Sequence, residues 1–362
     1  MTHPHPLIRV MVVDDSAVIR GLWARLIDAE DDLQVVASAW HGRAALEVLE
    51  RRRVDVVLLD VEMPEMDGLE ALPGILALDP SVRVIMASSL TAKGASVTLR
   101  ALGLGAADYV TKPTASRGAD ALEAIGRELV GKIRALGRPA GRPAEARTDP
   151  EALAPPPSWS PPTAPPAARA PRIVGITSST GGPNALTELL SALPLDFPLP
   201  IVIVQHMPPL FTAMLADRLA RVSGRTCIEA RDGLRVEDGC TYVAPGDHHL
   251  TVRQDRPGHT VLTLNQDAPE NFCRPSADPL FRSLAQTYGP AVLGVVLTGM
   301  GHDGLAGAGA LRAAGARVLV QDEATSVVWG MPGAVARAGL ADAVLPLAGI
   351  AAQVTQEARA PR

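Results

Sequence analysis

The feature that most constrains this chain is a break in its patterning. From about Gly137 to Pro171 it reads GRPAGRPAEARTDPEALAPPPSWSPPTAPPAARAP. A Pro/Ala stretch of this kind has little to bury and tends towards extended, polyproline-like backbone. Periodic apolar segments lie on both sides. The chain therefore reads as two folded domains, 1–136 and 172–362, joined by a semi-rigid linker, 137–171. A length of 362 residues suits two domains. Trp159, inside the linker, is expected to be an exposed aromatic of the spacer rather than a docking residue.

The first half alternates short apolar runs (LIRVMVVDD, LQVVAS, VDVVLLD, VRVIMAS, AADYVTK) with helical candidates near 16–29, 42–52, 69–78, 92–104 and 118–135. Five β-branched runs separated by helices predict a five-stranded parallel sheet covered on both faces. The second half repeats the logic with RIVGIT, LPIVIVQH, AVLGVVLT and ARVLVQD. Helices are predicted near 183–193, 210–222, 277–288, 304–314 and 332–338. Alternation and turn signals between about 240 and 264 predict antiparallel hairpins. The expected second domain is a doubly wound α/β fold with a mixed, mostly parallel sheet and a hairpin insert.

Composition excludes several classes. Lys and Arg number 34 and Asp and Glu 39, giving a net charge of −5, which opposes a nucleic-acid-coating role. No basic stripe or helix-turn-helix pattern appears in 172–362, so a DNA-binding output domain is not expected. No apolar run reaches the roughly 18–20 residues of a membrane span, and the N-terminus lacks a signal pattern. Three cysteines without a CxxC pair suggest a reducing, cytoplasmic compartment. Lysine occurs only at 93, 112 and 132, which marks Lys112 as a position where arginine does not serve.

In the first domain the polar residues fall at strand ends. Asp14 and Asp15 end the first run, Asp60 the third and Ser88 the fourth, and Lys112 follows the fifth. Parallel α/β sheets place their sites at this edge. Three carboxylates together suit a hard cation such as Mg²⁺, leaving Asp60 as a carboxylate nucleophile towards a phosphoryl group. Lys112 and Ser88 would hold phosphoryl oxygens. The competing reading, helix caps and a solvated lysine, does not explain why all five share one edge. The set VVDDS, LLDVEMPEMDG, MASS and YVTKP resembles the receiver domain of two-component response regulators over residues 7–135. The resemblance implies a flavodoxin-like fold and Asp60 as phosphoacceptor. It further implies Mg²⁺ held by Asp14, Asp15, Asp60 and the Glu62 carbonyl, switch residues Ser88 and Tyr109 beside Lys112, and a histidine kinase phosphodonor.

In the second domain a strand enters SSTGGP, and a helix starts at Pro183. This turn suits either an anion loop or a serine nucleophile with an oxyanion hole built from its N–H groups. His206 ends the next strand and offers a base; Asp303, in the Gly-rich loop after a third, offers an orienting carboxylate. Together with VQHMPP, YVAPGDHH, RPSADPLF, LTGMGHDG and DEATSVVWGMP, the segment 173–335 resembles the catalytic domain of chemotaxis protein-glutamate methylesterases. That resemblance implies Ser179 as nucleophile, His206 as general base and then acid, and Asp303 as orienting residue. Thr180 and the Met300 N–H become the oxyanion donors. It implies a chemoreceptor protein as substrate, glutamine deamidation as a second activity and no cofactor in this domain. An obstructing, unphosphorylated receiver is the expected control.

Two departures from the family stand out. His302 replaces the usual Asn, an exchange expected to be neutral, and Ser178 sets a second hydroxyl beside Ser179. His248, His249 and His259 are expected to be structural rather than metal ligands, and Cys273 to be a buried structural thiol. Arg274 suits either an acidic substrate surface or a salt bridge. The alternatives carried beside the esterase are a receiver-controlled, non-enzymatic adaptor and an esterase for another protein partner.

Overall fold

The computed structural model describes residues 7–113, 119–137 and 170–359. The chain divides into two compact units, Met1–Arg147 and Thr148–Arg362. Most of the Pro/Ala segment, including Trp159, lies outside the described residues.

In the first unit the strands are β1 (Ile8–Val13), β2 (Leu33–Ala39), β3 (Val56–Asp60), β4 (Arg83–Ser88) and β5 (Asp108–Thr111). The helices are α1 (Ala17–Asp28), α2 (Gly42–Leu49), α3 (Gly68–Leu78), α4 (Ala92–Gly103) and α5 (Ala119–Leu136). All strand pairs are parallel, in the order β2-β1-β3-β4-β5. Every residue of β3 is buried, as a strand covered on both faces requires. The strand order switches direction between β1 and β3, the point at which sheets of this kind place a site outside the carboxyl ends of their strands. The loop from β3 to α3 turns back tightly. A Cβ on Gly68 would sit 2.0 Å from the Asp60 carbonyl oxygen, so only glycine fits. Asp67 then starts α3 with a reciprocal capping box to Glu70.

The second unit contains β6 (Ile173–Ser178), β7 (Ile201–Gln205), β8 (Cys227–Glu229), β9 (Thr241–Val243), β10 (His249–Arg256), β11 (His259–Asn265), β12 (Val292–Val296), β13 (Arg317–Gln321) and β14 (Ala343–Leu345). Its helices are α6 (Gly182–Ala192), α7 (Phe211–Ser223), α8 (Ala277–Tyr288), α9 (Leu305–Ala313), α10 (Met331–Arg337) and α11 (Leu347–Ala358). Seven strands form one sheet, in the order β14-β13-β12-β6-β7-β9-β8. All of its pairs are parallel.

This corrects the expected mixed sheet. Thr241–Val243 joins the main sheet as a parallel strand, while β10 and β11 pair with each other outside it, β11 also bridging antiparallel to the 233–236 segment. The alternation in 249–265 was real, but its apolar face packs on α8 rather than extending the sheet: Leu250, Val252 and Leu262 share a cluster with Leu280, Phe281 and Leu284. The edge strands β8 and β14, three residues each, are too short to carry a periodic signal in the sequence. Among the described residues no helix is long and apolar enough to cross a membrane.

Candidate functional site

In the first unit, the carboxyl ends of β1 and β3 bring Asp14, Asp15 and Asp60 together. Their oxygens lie within 4.8 Å of one another, the only such acidic, His or Cys grouping among the described residues. Asp14 and Asp60 are buried and Asp15 is exposed. Lys112, just past β5, sets its ammonium 2.7 Å from Asp14 Oδ2 and 2.6 Å from Asp60 Oδ2. Those two oxygens are fully buried, and the ion pair gives neither a well-directed hydrogen bond. Burial pushes the Asp60 carboxyl up to about 6, against Lys112, which lowers it, and with Asp14, which raises it. One ammonium thus faces three carboxylates, and a hard cation matches the uncompensated oxygen donors.

Glu62 places its N–H 3.4 Å from Asp60 Oδ1, while its carboxylate pairs with Lys93 at 2.7 Å. Ser88 is buried at the end of β4. The Tyr109 ring is buried beneath Lys132, whose ammonium lies 4.9 Å from the ring centroid and donates to the Tyr109 carbonyl at 2.6 Å.

In the second unit, three adjacent strands, β12, β6 and β7, carry the other site. Ser179 follows β6, His206 follows β7 and Asp303 lies in the loop between β12 and α9. The serine turn needs its glycines. Gly181 has φ +77°, and a Cβ on Gly182 would sit 2.0 Å from Gln205 Oε1. Gln205 straps this turn: its Oε1 accepts from Ser178 Oγ at 2.7 Å, and its Nε2 donates to the Ser179 carbonyl at 2.9 Å. Ser178 is therefore buried and engaged, whereas Ser179 is partly exposed and its Oγ makes no hydrogen bond among the described residues. A Cβ on Gly299 would lie 3.0 Å from Ser179 Cβ, so the backbone at Gly299 packs directly on the serine.

His206 Nε2 and Asp303 Oδ2 are 2.7 Å apart. Asp303 is 2% exposed, and its remaining capacity is saturated. Oδ2 also accepts from the Ala277 N–H at 2.7 Å. Oδ1 accepts from Ser276 Oγ at 2.7 Å, Asn271 Nδ2 at 2.8 Å and the Gly304 N–H at 3.0 Å. The carboxylate thus sits at the N-terminus of α8, where N–H groups and the helix dipole favour negative charge. Burial alone would raise its pKa. The hydrogen bond and charge of His206, with the Ala277 and Ser276 donors, instead hold it well below the usual carboxylate range. For His206, burial opposes the imidazolium, but the neighbouring Cys273 and the bond to Asp303 move its pKa upward. Cys273 Sγ lies 3.6 Å from His206 Nδ1.

Known proteins match this arrangement. The CheB methylesterase family matches residues 174–354, and the response regulator receiver domain matches residues 10–123. A protein-glutamate methylesterase/protein-glutamine glutaminase of Caulobacter vibrioides is 51% identical over 354 residues, covering 97% of this chain and 99% of that protein. One of the same name from Rhodospirillum centenum is 48% identical, covering 94% of this chain and 91% of that protein. The chain belongs to the CheB methylesterase family. The crystal structure of the Thermotoga maritima CheB methylesterase catalytic domain is 42% identical, with a TM-score of 0.50 over 52% of this chain and 99% of that one.

Beyond the expected residues, this CheB-family chain brings in a supporting set that sequence reading missed. Gln205, Asn271, Ser276 and the N-terminus of α8 hold the turn and the carboxylate. Ser276, placed just before a helical run in RPSADPLF, carried a helix-start signal, but nothing in it pointed to Asp303. Cys273 is half-buried against the imidazole rather than a structural core thiol, a correction that follows from the turn at 270–273 folding onto β7. Arg274 makes the salt bridge, to Asp247 at 2.6 Å. His249 is buried, with its ring nitrogens near the Ala268 carbonyl and the Ser276 N–H. His302 is exposed and makes no contact with Asp303 among the described residues.

Proposed function

We propose that this chain is a receiver-controlled hydrolase of glutamate γ-methyl esters on chemoreceptors, acting in the cytoplasm. The observation that carries the reading is the sharing of one sheet edge by Ser179, His206 and Asp303, with His206 Nε2 already bonded to Asp303. Nε2 is engaged by Asp303, so in this reading Nδ1, which faces Cys273 Sγ at 3.6 Å, is the nitrogen that takes the serine proton. Ser179 Oγ attacks the ester carbonyl carbon as His206 takes its proton. The proton then passes to the methoxy oxygen, and methanol leaves. Water attacks the acyl-serine, again deprotonated by His206, and glutamate is released as Ser179 regains its proton. Asp303 fixes the ring and stabilises its cation. Base catalysis of this kind contributes about 10²–10⁴-fold.

Thr180 and the Met300 N–H are the oxyanion donors in this reading. The Met300 N–H makes no hydrogen bond among the described residues and directly follows Gly299, which packs on Ser179. An oxyanion donor is worth about 10²–10³-fold. A glutamine side chain passes through the same kind of tetrahedral intermediate, losing ammonia in place of methanol, so the proposal includes deamidation.

In the receiver, Asp60 is the phosphoacceptor, with a histidine kinase as physiological donor. Asp14, Asp15, Asp60 and the Glu62 carbonyl would hold Mg²⁺, which neutralises phosphoryl charge when bound. Lys112 contacts the phosphoryl oxygens, and Ser88 and Tyr109 respond to them. Phosphorylation relieves obstruction of the catalytic edge by favouring an arrangement in which the receiver docks less stably. The linker keeps the two domains at high effective concentration.

Labelling with a small serine-directed fluorophosphonate tests the nucleophile. Wild type and Ser178→Ala are expected to label and Ser179→Ala not to. Labelling retained in Ser179→Ala contradicts the assignment.

A further inference from the structure

Large apolar side chains are exposed on turns next to the catalytic residues of the second unit, and two of them, Phe272 and Leu210, have positive φ. Glu270 and Cys273 exchange both backbone hydrogen bonds, at 3.2 and 2.9 Å, closing a two-residue turn. Its central residues, Asn271 and Phe272, have φ of 52° and 62°. Two positive φ values in succession define a type I′ turn, which favours Asn first and Gly second. Asn fits the first position. Phe at the second is a strained choice for a bulky side chain, and its ring is 95% exposed. Among the described residues, no packing offsets the strain.

The turn is nevertheless fixed relative to the chemistry. Asn271 donates to Asp303 and to Asp278, and Cys273 touches His206. Leu210, four residues after His206, repeats the pattern with φ 72° and 50% exposure. Val327, 41% exposed, abuts the serine turn, where a Cβ on Gly181 would lie 2.6 Å from Val327 Cβ.

We infer that Phe272, with Leu210 and Val327, forms an apolar rim that docks the segment of the protein substrate bearing the ester; this rests on the esterase reading above. Apolar side chains on turns that themselves touch Asp303, His206 and the serine loop suit a protein surface presented to the site rather than one deep pocket. Strain is tolerated where a displayed side chain serves binding, and exposed aromatic anchors dominate protein recognition. Phe272 is a positioning residue. It holds the substrate backbone while Ser179, His206 and Asp303 act on the ester.

The test uses the full-length chain with acetyl phosphate and Mg²⁺, and a methylated chemoreceptor cytoplasmic fragment. Methanol release gives kcat and KM for wild type, Phe272→Ala, Phe272→Gly and Phe272→Trp. Fluorophosphonate labelling of Ser179 and Tm are measured in parallel. Phe272→Ala and Phe272→Gly are expected to raise KM roughly tenfold or more, with kcat and labelling rate within about twofold of wild type. Phe272→Trp is expected to restore most of the affinity. Phe272→Gly, freed of strain, is expected to melt at or above the wild-type temperature, which separates lost docking from lost folding. A KM unchanged in the Ala and Gly variants overturns the inference alone. So does a rise in unphosphorylated activity with loss of stimulation, since the rim would then hold this chain's own receiver. A wild-type chain that labels but releases no methanol overturns the inference together with the esterase reading.

Discussion

At the residue scale, Asp303 explains how a buried imidazole can be charged and discharged. Four protein donors besides His206 lie within 3.0 Å of its oxygens, so it stays ionised while the ring changes state. Asp303→Asn keeps the shape but removes that charge, and a fall in turnover of about 10³–10⁴-fold is expected. Methanol-release kinetics on the folded variant check this, and a loss below about tenfold contradicts it.

The two pKa shifts also set a stability window. Asp303, shifted down, stabilises above its unfolded value of about 3.9 and loses that contribution as pH falls through its folded value. His206, shifted up, stabilises fully below its unfolded value of about 6.5 and loses that contribution as pH rises through its folded value. The stability gap between wild type and Asp303→Asn is therefore expected to be widest at about pH 4–6.5 in denaturant melts. A gap that widens continuously towards pH 9 contradicts the pairing. In the proposed role of base His206 acts in its neutral form, so turnover is expected to rise with pH, with a midpoint above about 6.5. Cys273→Ala removes a neighbour that favours the cation and is expected to lower that midpoint. An unmoved midpoint shows that the thiol does not tune the base.

At the scale of elements, both sites are built by strand ends meeting turns that tolerate no side chain. Gly299 is the sharpest case. A Cβ there would lie 2.4 Å from Met331 Sδ and 3.1 Å from the Ser179 nitrogen. Gly299→Ala is expected to cost about 1–3 kcal/mol in urea melts and to lower activity further by displacing the Met300 N–H. Unchanged stability and rate contradict that packing. Gln205→Ala removes the strap and leaves the buried Ser178 hydroxyl without its acceptor, an expected cost of about 1–3 kcal/mol.

Sequence legibility follows the same division. Residues at strand ends, such as Asp14, Asp60, His206 and Asp303, were readable because apolar runs end visibly. The strap and the α8 cap were not, because Gln205, Asn271 and Ser276 meet their partners across 26–32 residues of chain and act through hydrogen bonds that no local period announces. The hairpin was legible as a hairpin but not in its placement, since period-2 alternation does not say which surface the apolar face will find.

At the scale of the whole molecule, two α/β units each put their chemistry at the carboxyl edge of a parallel sheet, and the sequence order of the strands brings a chain reversal to each edge. The central claim is that one edge controls the other. It is tested most directly by methanol release from a methylated chemoreceptor cytoplasmic fragment, with and without acetyl phosphate and Mg²⁺. Wild type, Ser179→Ala and Asp60→Asn are run together. The account predicts release that acetyl phosphate stimulates in wild type, is absent in Ser179→Ala, and persists unstimulated in Asp60→Asn. Equal stimulation in Asp60→Asn, or no release from a folded wild-type chain under any condition, would contradict it.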